Sequence, residues 1–128
     1  MKLTSKFPAL MLTSESVEKA RPTDEQNRCL LESVELEREV LGTDGVLVRV
    51  VYSALNYKDG LAASGNTGVV RKYPLIPGID AVGQVVESGS SAFEFGDIVL
   101  IANAKFGTSH HGGFASFARV PEDWLIRL

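Results

Sequence analysis

Four polar side chains of different chemistry stand in a row in this sequence: an amide, a phenol, an amine and a carboxylate, at Asn56, Tyr57, Lys58 and Asp59. They follow directly on the β-branched run that begins at Val46. An amide and a carboxylate suit the start of a helix, where they accept hydrogen bonds from free backbone N–H groups. A phenol or an amide can also donate to an oxygen that gains charge during a reaction. The stretch therefore either caps a helix or lines a site.

A strand and a helix must position these side chains. Residues 46–54, VLVRVVYSA, are dense in β-branched residues and predict a strand. Alternate side chains of that strand share one face, namely Val46, Val48, Val50 and Tyr52. The residues that follow predict a helix of two turns, with Asn56 as its N-cap and Gly65 at its end.

The rest of the chain consists of short apolar runs between turn residues. Six further runs predict strands, at residues 7–12, 29–37, 80–89, 96–104, 112–120 and 123–128. The run at 96–104 is almost continuously apolar, which is typical of a strand buried on both faces. Within the run at 80–89, Gly83 predicts a bulge or a close backbone approach.

The segments between the strands carry recognisable turn signals. Residues 14–27 are polar, contain Pro22 and predict a loop. The Asp-Gly pair within residues 42–45 predicts a hairpin turn. Residues 71–78 hold two prolines and must be extended or turning. Many short strands with one or two short helices indicate a mainly β fold, either a barrel or a rolled sheet.

Composition and charge exclude several classes of function. The chain has 128 residues, the size of one domain, and a net charge of −3 without a basic block, so nucleic acid is not an expected partner. No apolar run approaches the roughly 20 residues of a membrane span, so no membrane partner is expected. Its one cysteine, Cys29, excludes an internal disulfide and fits a reducing, cytoplasmic compartment. We expect Cys29 to pack as a small apolar residue.

Three segments together resemble the medium-chain dehydrogenase/reductase superfamily: LNYKDGLAASG, YPLIPGIDAVGQVVESG and GDIVLI. The nearer resemblance is to its zinc-free quinone oxidoreductase branch, of the acrylyl-CoA reductase type. That branch carries stretches similar to Leu55–Asp59, Arg71–Asp80 and His110–Gly113. The resemblance implies that residues 1–128 form a GroES-like, partly open β-barrel. It also implies a nucleotide-binding domain that is absent from this chain, which lacks the necessary Gly-rich turn.

The resemblance bears on metal binding. Zinc-dependent members carry Gly-His-Glu where this chain has Gly78, Ile79 and Asp80, and a cysteine where it has Asn56. Zinc prefers thiolate and imidazole ligands, which Ile79 and Asn56 do not supply. Neither a catalytic nor a structural zinc is therefore expected.

The resemblance also implies a mechanism: NADPH in the full-length protein reduces an activated double bond or a quinone. Tyr57 is then the candidate hydrogen-bond donor or acid, against the alternative that its ring packs on the helix. Asn56 is a candidate for holding the nicotinamide or the substrate carbonyl, or it only caps the helix. Lys58 is a candidate cofactor contact, with a solvated amine as the alternative. Asp80 is expected to hold the frame of the site through hydrogen bonds.

Two further residues are candidates for substrate binding. Arg71 could pair with an anionic group of the substrate or cofactor, or could face solvent. His110 and His111 are adjacent and would point opposite ways in extended chain, which is poor geometry for chelation. The resemblance implies a cleft between the two domains in which the cofactor lies, and we expect His110 to face that cleft.

A second hypothesis is a stand-alone GroES-like module that binds a protein or small ligand without catalysis. Under the first hypothesis the partner is a small-molecule substrate and the full-length protein is a homodimer. We also expect these 128 residues alone to lack reductase activity, since the cofactor domain is missing.

Overall fold

The computed structural model describes residues 6–14, 29–66 and 68–128, and this part of the chain is mainly β, as predicted. Most of the predicted loop at 14–27 lies outside the described residues. The strands are β1 Lys6–Ser14, β2 Cys29–Glu37, β3 Val46–Ser53, β4 Ala81–Ser88, β5 Ile98–Ile101, β6 Phe117–Val120 and β7 Leu125–Arg127. The helix α1 spans Tyr57–Ala63, and 3-10 turns cover Arg38–Leu41 and Glu122–Trp124. No helix in the described ranges is long and apolar enough to cross a membrane.

Two antiparallel sheets make up the fold. Strands β1 and β2 form a two-stranded sheet along their whole lengths. The other sheet has five strands in the order β6-β3-β4-β5-β7. Isolated bridges link β1 to the chain outside it, from Ala9 to Ala115 and from Leu12 to Leu75. In the described part of the chain the two sheets do not close into one continuous barrel.

Strand β3 is buried on both of its faces at its start. Val46 and Val48 point into the larger apolar cluster, which β4, β5, β6 and Trp124 complete. Leu47 points the other way, into a cluster with Phe7 and Phe117, whose rings meet edge to face at 5.9 Å between centroids. The five-stranded sheet therefore has a core on each side of β3, and β1 covers the second one.

A third, smaller cluster anchors α1. Ala62, on the buried side of the helix, packs with Leu12, Val70 and Leu75. Cys29 is half-buried against this cluster and its thiol donates to the Ala63 carbonyl at 3.1 Å, so the predicted packing role is confirmed. Burial raises the pKa of the Cys29 thiol. A raised pKa keeps the thiol protonated and therefore a poor nucleophile.

The hairpin predicted at residues 42–45 is wrong. Strands β2 and β3 lie in different sheets, because the 3-10 turn Arg38–Leu41 separates them and directs the chain from one sheet to the other. The chain does turn at residues 42–45, where Gly42 and Gly45 both have positive φ. Gly45 also has no room for a side chain, since a Cβ there would lie 2.9 Å from the Val120 carbonyl carbon.

Three predicted strands are shorter than expected, and one predicted strand face is wrong. The run at 123–128 contains only β7, because Glu122–Trp124 form a 3-10 turn. The run at 96–104 contains only the four-residue β5, and Ile98 is 44% exposed, so β5 is not buried on both faces. The run at 112–120 contains only β6 as a regular strand. Before it, the backbone N–H groups of residues 112–114 donate to the loop at residues 76–78, while Phe114 and Ser116 hydrogen-bond to β1. Tyr52 is 73% exposed and does not share the buried face of Val46, since a register shift between Val50 and Tyr52 interrupts the alternation.

The close approach predicted at Gly83 is confirmed. A Cβ at this position would lie 2.6 Å from Val48 Cγ1 and would collide with the Arg49 carbonyl. Gly83 pairs with Val50, next to the register shift in β3. The missing side chain therefore lets β3 and β4 approach closely just before β3 leads into α1.

Candidate active site

The helix α1 begins at Asn56, as the sequence predicts. Asn56 has the extended backbone of an N-cap residue, with φ −118° and ψ 161°. Asp59 Oδ2 accepts a hydrogen bond from the Asn56 backbone N–H at 2.8 Å. This contact closes the first turn of the helix and fixes the direction in which the chain leaves β3.

Asp59 also joins the helix to a second segment of the chain. Its other oxygen, Oδ1, accepts from the Ile79 backbone N–H at 3.0 Å, and the residue is only 2% exposed. One carboxylate thus holds the helix start and the loop at residues 76–80 together. The sequence pattern predicted Asp59 only as a residue of the helix start and did not reveal the link to Ile79. The Asn-x-x-Asp spacing of a capping box reveals half of the role, but the link to Ile79 depends on the tertiary fold.

The Asn56 side chain points at Asp80. Asn56 Nδ2 donates to Asp80 Oδ2 at 2.9 Å, with a longer contact to the Ala54 carbonyl at 3.5 Å. Both residues are half-buried. The amide is therefore fixed in orientation by the carboxylate. These two positions lie 24 residues apart in sequence, and the fold brings them into direct contact.

Tyr57 and Lys58 project outward from the first turn of α1. Tyr57 is 84% exposed and Lys58 is also exposed. Leu55 and Tyr52, just before the helix, are 82% and 73% exposed. The ring of Tyr57 therefore does not pack on the buried side of the helix within this chain. Its phenol is free to reach a ligand beside the Asn56–Asp80 pair.

The structure places the two candidate substrate residues elsewhere. Arg71 is exposed in the loop before the cis peptide at Tyr73–Pro74. The His110 ring packs edge to face on Trp124, with 4.9 Å between ring centroids, and its Nδ1 donates to the His111 carbonyl at 2.7 Å. Among the contacts found within the described ranges, none joins Arg71 or His110 to Asn56. Their assignment to substrate binding stays a prediction.

His111 is a residue whose role the sequence did not reveal. Its Nδ1 accepts a hydrogen bond from the Ile76 backbone N–H at 3.0 Å. Burial lowers the pKa of His111, and the neighbouring charge of His110 lowers it further. The ring is therefore a neutral acceptor inside the structure.

Two open depressions of the described part of the chain do not include the Asn56–Asp80 pair. One, of about 720 Å³, is lined by residues 41–45 and 121–123 together with His110 and Arg119, and does not include Asn56 or Tyr57. Another, of about 390 Å³, lies along Val50 and Val51 of β3 and residues 113–116. Neither depression contains Asn56, Tyr57 or Asp80, and of these three only Tyr57 is exposed.

The described residues offer no built metal centre and no phosphate cradle. No group of three or more His, Cys, Asp or Glu side chains within the described ranges could hold a metal ion. A nicotinamide ring could contact the exposed Tyr57 phenol and Lys58 amine beside the fixed Asn56. The phosphates of a dinucleotide would need a glycine-rich turn at the start of a longer helix, and α1 has only seven residues.

Comparisons with known proteins identify the family. Residues 42–128 match the Alcohol dehydrogenase GroES-like domain. The chain therefore belongs to this domain family and to the medium-chain dehydrogenase/reductase superfamily, as the sequence motifs indicate. The mainly β architecture of two sheets and a short helix agrees with the GroES-like fold.

Relatives and solved structures indicate the quinone oxidoreductase and acrylyl-CoA reductase type. YhfP of Bacillus subtilis, named as a quinone oxidoreductase, is 48% identical over 93 residues, which are 73% of this chain and 28% of YhfP. Acrylyl-CoA reductase AcuI of Ruegeria pomeroyi is 45% identical over 83 residues, 65% of this chain and 25% of AcuI. The crystal structure of YhfP with NAD bound matches with a TM-score of 0.85 at 38% identity, covering 98% of this chain and 35% of YhfP. The YhdH oxidoreductase of Salmonella enterica, in complex with NADP, has a TM-score of 0.81 at 38% identity, covering 94% of this chain and 34% of YhdH.

The chain spans about a third of the length of these relatives. It corresponds to the catalytic-domain region of this oxidoreductase type. The hypothesis of a stand-alone binding module finds no support, because the matched relatives named by activity are enzymes.

Proposed function

We propose that this chain supplies the catalytic-domain side of a zinc-free, NADPH-dependent oxidoreductase that reduces an activated double bond, such as that of an acrylyl-CoA-like thioester. The hydrogen bond between Asn56 and Asp80 carries this proposal. By the family resemblance, these positions correspond to residues of the metal site in zinc-dependent members. In this chain the two side chains are hydrogen-bonded to each other. The backbone N–H of Ile79, the residue before Asp80, donates to Asp59.

The chain's own residues supply orientation and polarisation. When bound, the nicotinamide cofactor supplies the hydride. The Tyr57 phenol, exposed beside Asn56, donates a hydrogen bond to the substrate carbonyl oxygen as negative charge develops there. It can also pass a proton to the reduced substrate. Lys58, on the same first turn of α1, would contact the cofactor when it is bound. Arg71 is the candidate partner for an anionic group of the substrate or cofactor, and His110 is a candidate substrate contact.

Asn56 has a restricted part in this scheme. Its Nδ2 is committed to Asp80 at 2.9 Å, so the amide holds a fixed orientation instead of rotating to meet each ligand. A fixed group costs no reorganisation when substrate binds. Asn56 thereby presents its remaining polar edge to a ligand, and Asp59 keeps the whole corner in place.

The proposal is tested on the full gene product by following NADPH oxidation with acrylyl-CoA. Replacing Tyr57 with Phe should lower kcat about a hundredfold, since a positioned acid is worth at least that much. The KM for NADPH should change less than about twofold, because the lost hydroxyl acts in the transition state. Tyr52→Phe is the matched control, since Tyr52 is similarly exposed, at 73%, but lies on β3. An unchanged kcat in Tyr57→Phe removes Tyr57 from the mechanism.

Quinone reduction is the second candidate, favoured by the 48% identity to YhfP, which is named for that activity. The two substrates are compared by kcat/KM in the same preparation. A higher value for a quinone would replace the thioester assignment while leaving the site residues in place. The same preparation is analysed for metal, and zinc at one equivalent per chain would contradict the zinc-free proposal. Parallel assays with NADH and NADPH test the cofactor, since YhfP holds NAD and YhdH holds NADP.

A further inference from the structure

The imidazole of His111 links two segments that are far apart in sequence. Its Nδ1 lies 3.0 Å from the Ile76 backbone nitrogen, which donates the hydrogen bond. Ile76 is completely buried, so water cannot replace the imidazole at that N–H. An Nδ1 that accepts carries no proton, and the neutral ring therefore carries its proton on Nε2.

The residues after His111 continue this contact through the backbone. Gly112 N–H donates to the Ile76 carbonyl at 2.7 Å, and Gly113 N–H donates to the Gly78 carbonyl at 2.9 Å. Phe114 N–H donates to the Pro77 carbonyl at 3.0 Å. The segment 111–114 thus runs beside residues 76–78 and holds them. The His111 bond is made by a side chain, so a substitution can remove it without altering the backbone.

The held segment leads directly into the candidate site. Ile79 donates its backbone N–H to Asp59 at 3.0 Å, and Asp80 accepts from Asn56 at 2.9 Å. Only two residues separate Ile76 from Ile79. A change in the backbone at Ile76 therefore reaches the Asn56–Asp80 pair through a short stretch of chain.

We propose that His111 is a positioning residue, whose neutral Nδ1 holds Ile76 and so aligns Asp80 with Asn56, and whose protonation releases this alignment. The proposal rests on the proposed function only in taking the Asn56–Asp80 pair as part of the reductase site. A protonated imidazole has donors on both nitrogens and no acceptor, so it cannot accept from the Ile76 N–H. Acid would thereby leave a buried backbone donor without a partner.

The surroundings of His111 disfavour the charged ring. The depression of about 310 Å³ beside it is formed by residues 40–42, Lys72, Pro74, Leu75 and residues 109–111, and its titratable members are Lys72, His110 and His111 itself. Residues 40–42 contribute no titratable side chain, and none of the described carboxylates lines this depression. Both Lys72 and a charged His110 would repel a proton on His111. Burial and His110 accordingly lower the pKa of His111 below its ordinary 6.5.

The lowered pKa of His111 determines how the stability of the fold changes with pH. The unfolded chain binds the proton at the ordinary pKa of 6.5, before the folded chain does. The unfolded state therefore takes up more protons in this range, and stability rises with pH. The contribution of His111 is complete above pH 6.5 and is lost as the pH falls through the lowered folded value.

Two substitutions separate the hydrogen bond from the bulk of the ring. In His111→Asn, the side-chain oxygen lies close to the position of Nδ1 and can accept from Ile76 without titrating. In His111→Gln, the volume is closer to that of histidine, but the acceptor lies one bond further out. We expect amide exchange at Ile76 to accelerate about tenfold in the Gln variant, the factor for one lost hydrogen bond, and to change less than about threefold in the Asn variant. Equal acceleration in both variants would overturn the proposal.

The unmodified protein supplies a test that needs no variant to fold. Long-range proton–nitrogen NMR spectra report which imidazole nitrogen carries the proton, followed from pH 8 to pH 4.5. We expect His111 with an unprotonated Nδ1 at pH 8, and the amide signals of Ile76 and Asp80 to shift together with its titration. A proton on Nδ1 at pH 8, or an Asp80 amide signal that does not shift as His111 titrates, would overturn the proposal. These readouts do not depend on turnover, so a failed reductase assay leaves them standing.

Discussion

Two neighbouring parts of the molecule reverse the usual distribution of polar and apolar side chains. At the polar corner, formed by Asn56, Asp59, Ile79 and Asp80, a carboxylate is 2% exposed. Along the segment 51–57 that leads into it, four large side chains are 52 to 84% exposed, namely Val51, Tyr52, Leu55 and Tyr57. Asp59 and Tyr57 are only two residues apart.

The comparison separates a residue that maintains the structure from residues that are exposed to a binding partner. The buried Asp59 carboxylate accepts from two backbone N–H groups, so its burial is compensated by hydrogen bonds. The exposed Tyr57 and Leu55 have no comparable cover among the described residues. We infer that the polar corner maintains the geometry, and that the exposed Leu55 and Tyr57 contact whatever binds there. Four predictions test this division, from the largest expected effect to the smallest.

Replacing Asp59 with Ala should produce the largest effect. Two backbone N–H groups, of Asn56 and Ile79, lose their acceptor in a buried place. Each such loss costs about 1–3 kcal/mol, so we expect the unfolding free energy to fall by roughly 2–6 kcal/mol. Urea denaturation measures this, with Asp123→Ala, at an exposed aspartate, as the control. A loss equal to that of the control would show that water takes over both donors.

Replacing Gly112 with Ala should have the next largest effect. A Cβ at Gly112 would lie 2.6 Å from Gly107 Cα and 2.7 Å from the Pro77 carbonyl oxygen. Both neighbours are backbone atoms that cannot rotate away, so we expect a loss of about 1–3 kcal/mol. Gly60→Ala is the matched control, since nothing lies within 4 Å of its Cβ position in α1. That control should gain about 0.5–1 kcal/mol through helix propensity. If the two variants have the same melting temperature, the contact at Gly112 is looser than described.

The coupling between Asn56 and Asp80 should be smaller. A double-mutant cycle with both residues changed to Ala should give a coupling energy of about 1 kcal/mol, because the bond is half-buried and one partner is charged. The exposed pair Arg49 and Gln84, bonded at 2.9 Å between β3 and β4, is the control. Its coupling should stay below about 0.5 kcal/mol, since solvent competes for both groups. Equal couplings in the two cycles would argue against a special role for the corner.

Replacing Tyr57 with Ser should have the smallest effect on stability. The ring is 84% exposed, so we expect the unfolding free energy to change by less than about 0.5 kcal/mol. Thermal unfolding is measured beside Tyr52→Ser as the comparison. A loss above about 1 kcal/mol would mean that the ring is covered in solution and that segment 51–57 is structural.

Local signals predicted much of the fold. The β-branched run starting at Val46 and the capping residue Asn56 placed β3 and α1 correctly, because strand propensity and helix caps are encoded within a few residues. The Asp-Gly pair at 44–45 predicted a turn, but it did not predict which strands pair on either side of the turn. Whether a turn makes a hairpin depends on which strands pair, and here the residues Arg38–Leu41 send the chain into another sheet.

The candidate site was predicted in part. Asn56 was named from sequence, and the structure gives it a partner in Asp80. Asp59 was predicted only as a residue of the helix start. Its link to Ile79 and the role of His111 stayed hidden, since Ile79 and Ile76 contribute backbone donors that no side-chain pattern can indicate. The assignments of Tyr57, Lys58, Arg71 and His110 stay predictions.

The sequence by itself determined the mainly β class, the start of the helix at Asn56 and the resemblance to the zinc-free oxidoreductases, since these follow from local propensity and from short motifs. Tertiary structure decided which groups meet across long separations. Only the folded chain brings Asn56 to Asp80, Asp59 to Ile79 and His111 to Ile76. The physical reason is that a buried donor or acceptor must find a partner wherever packing places one, and packing depends on the whole chain.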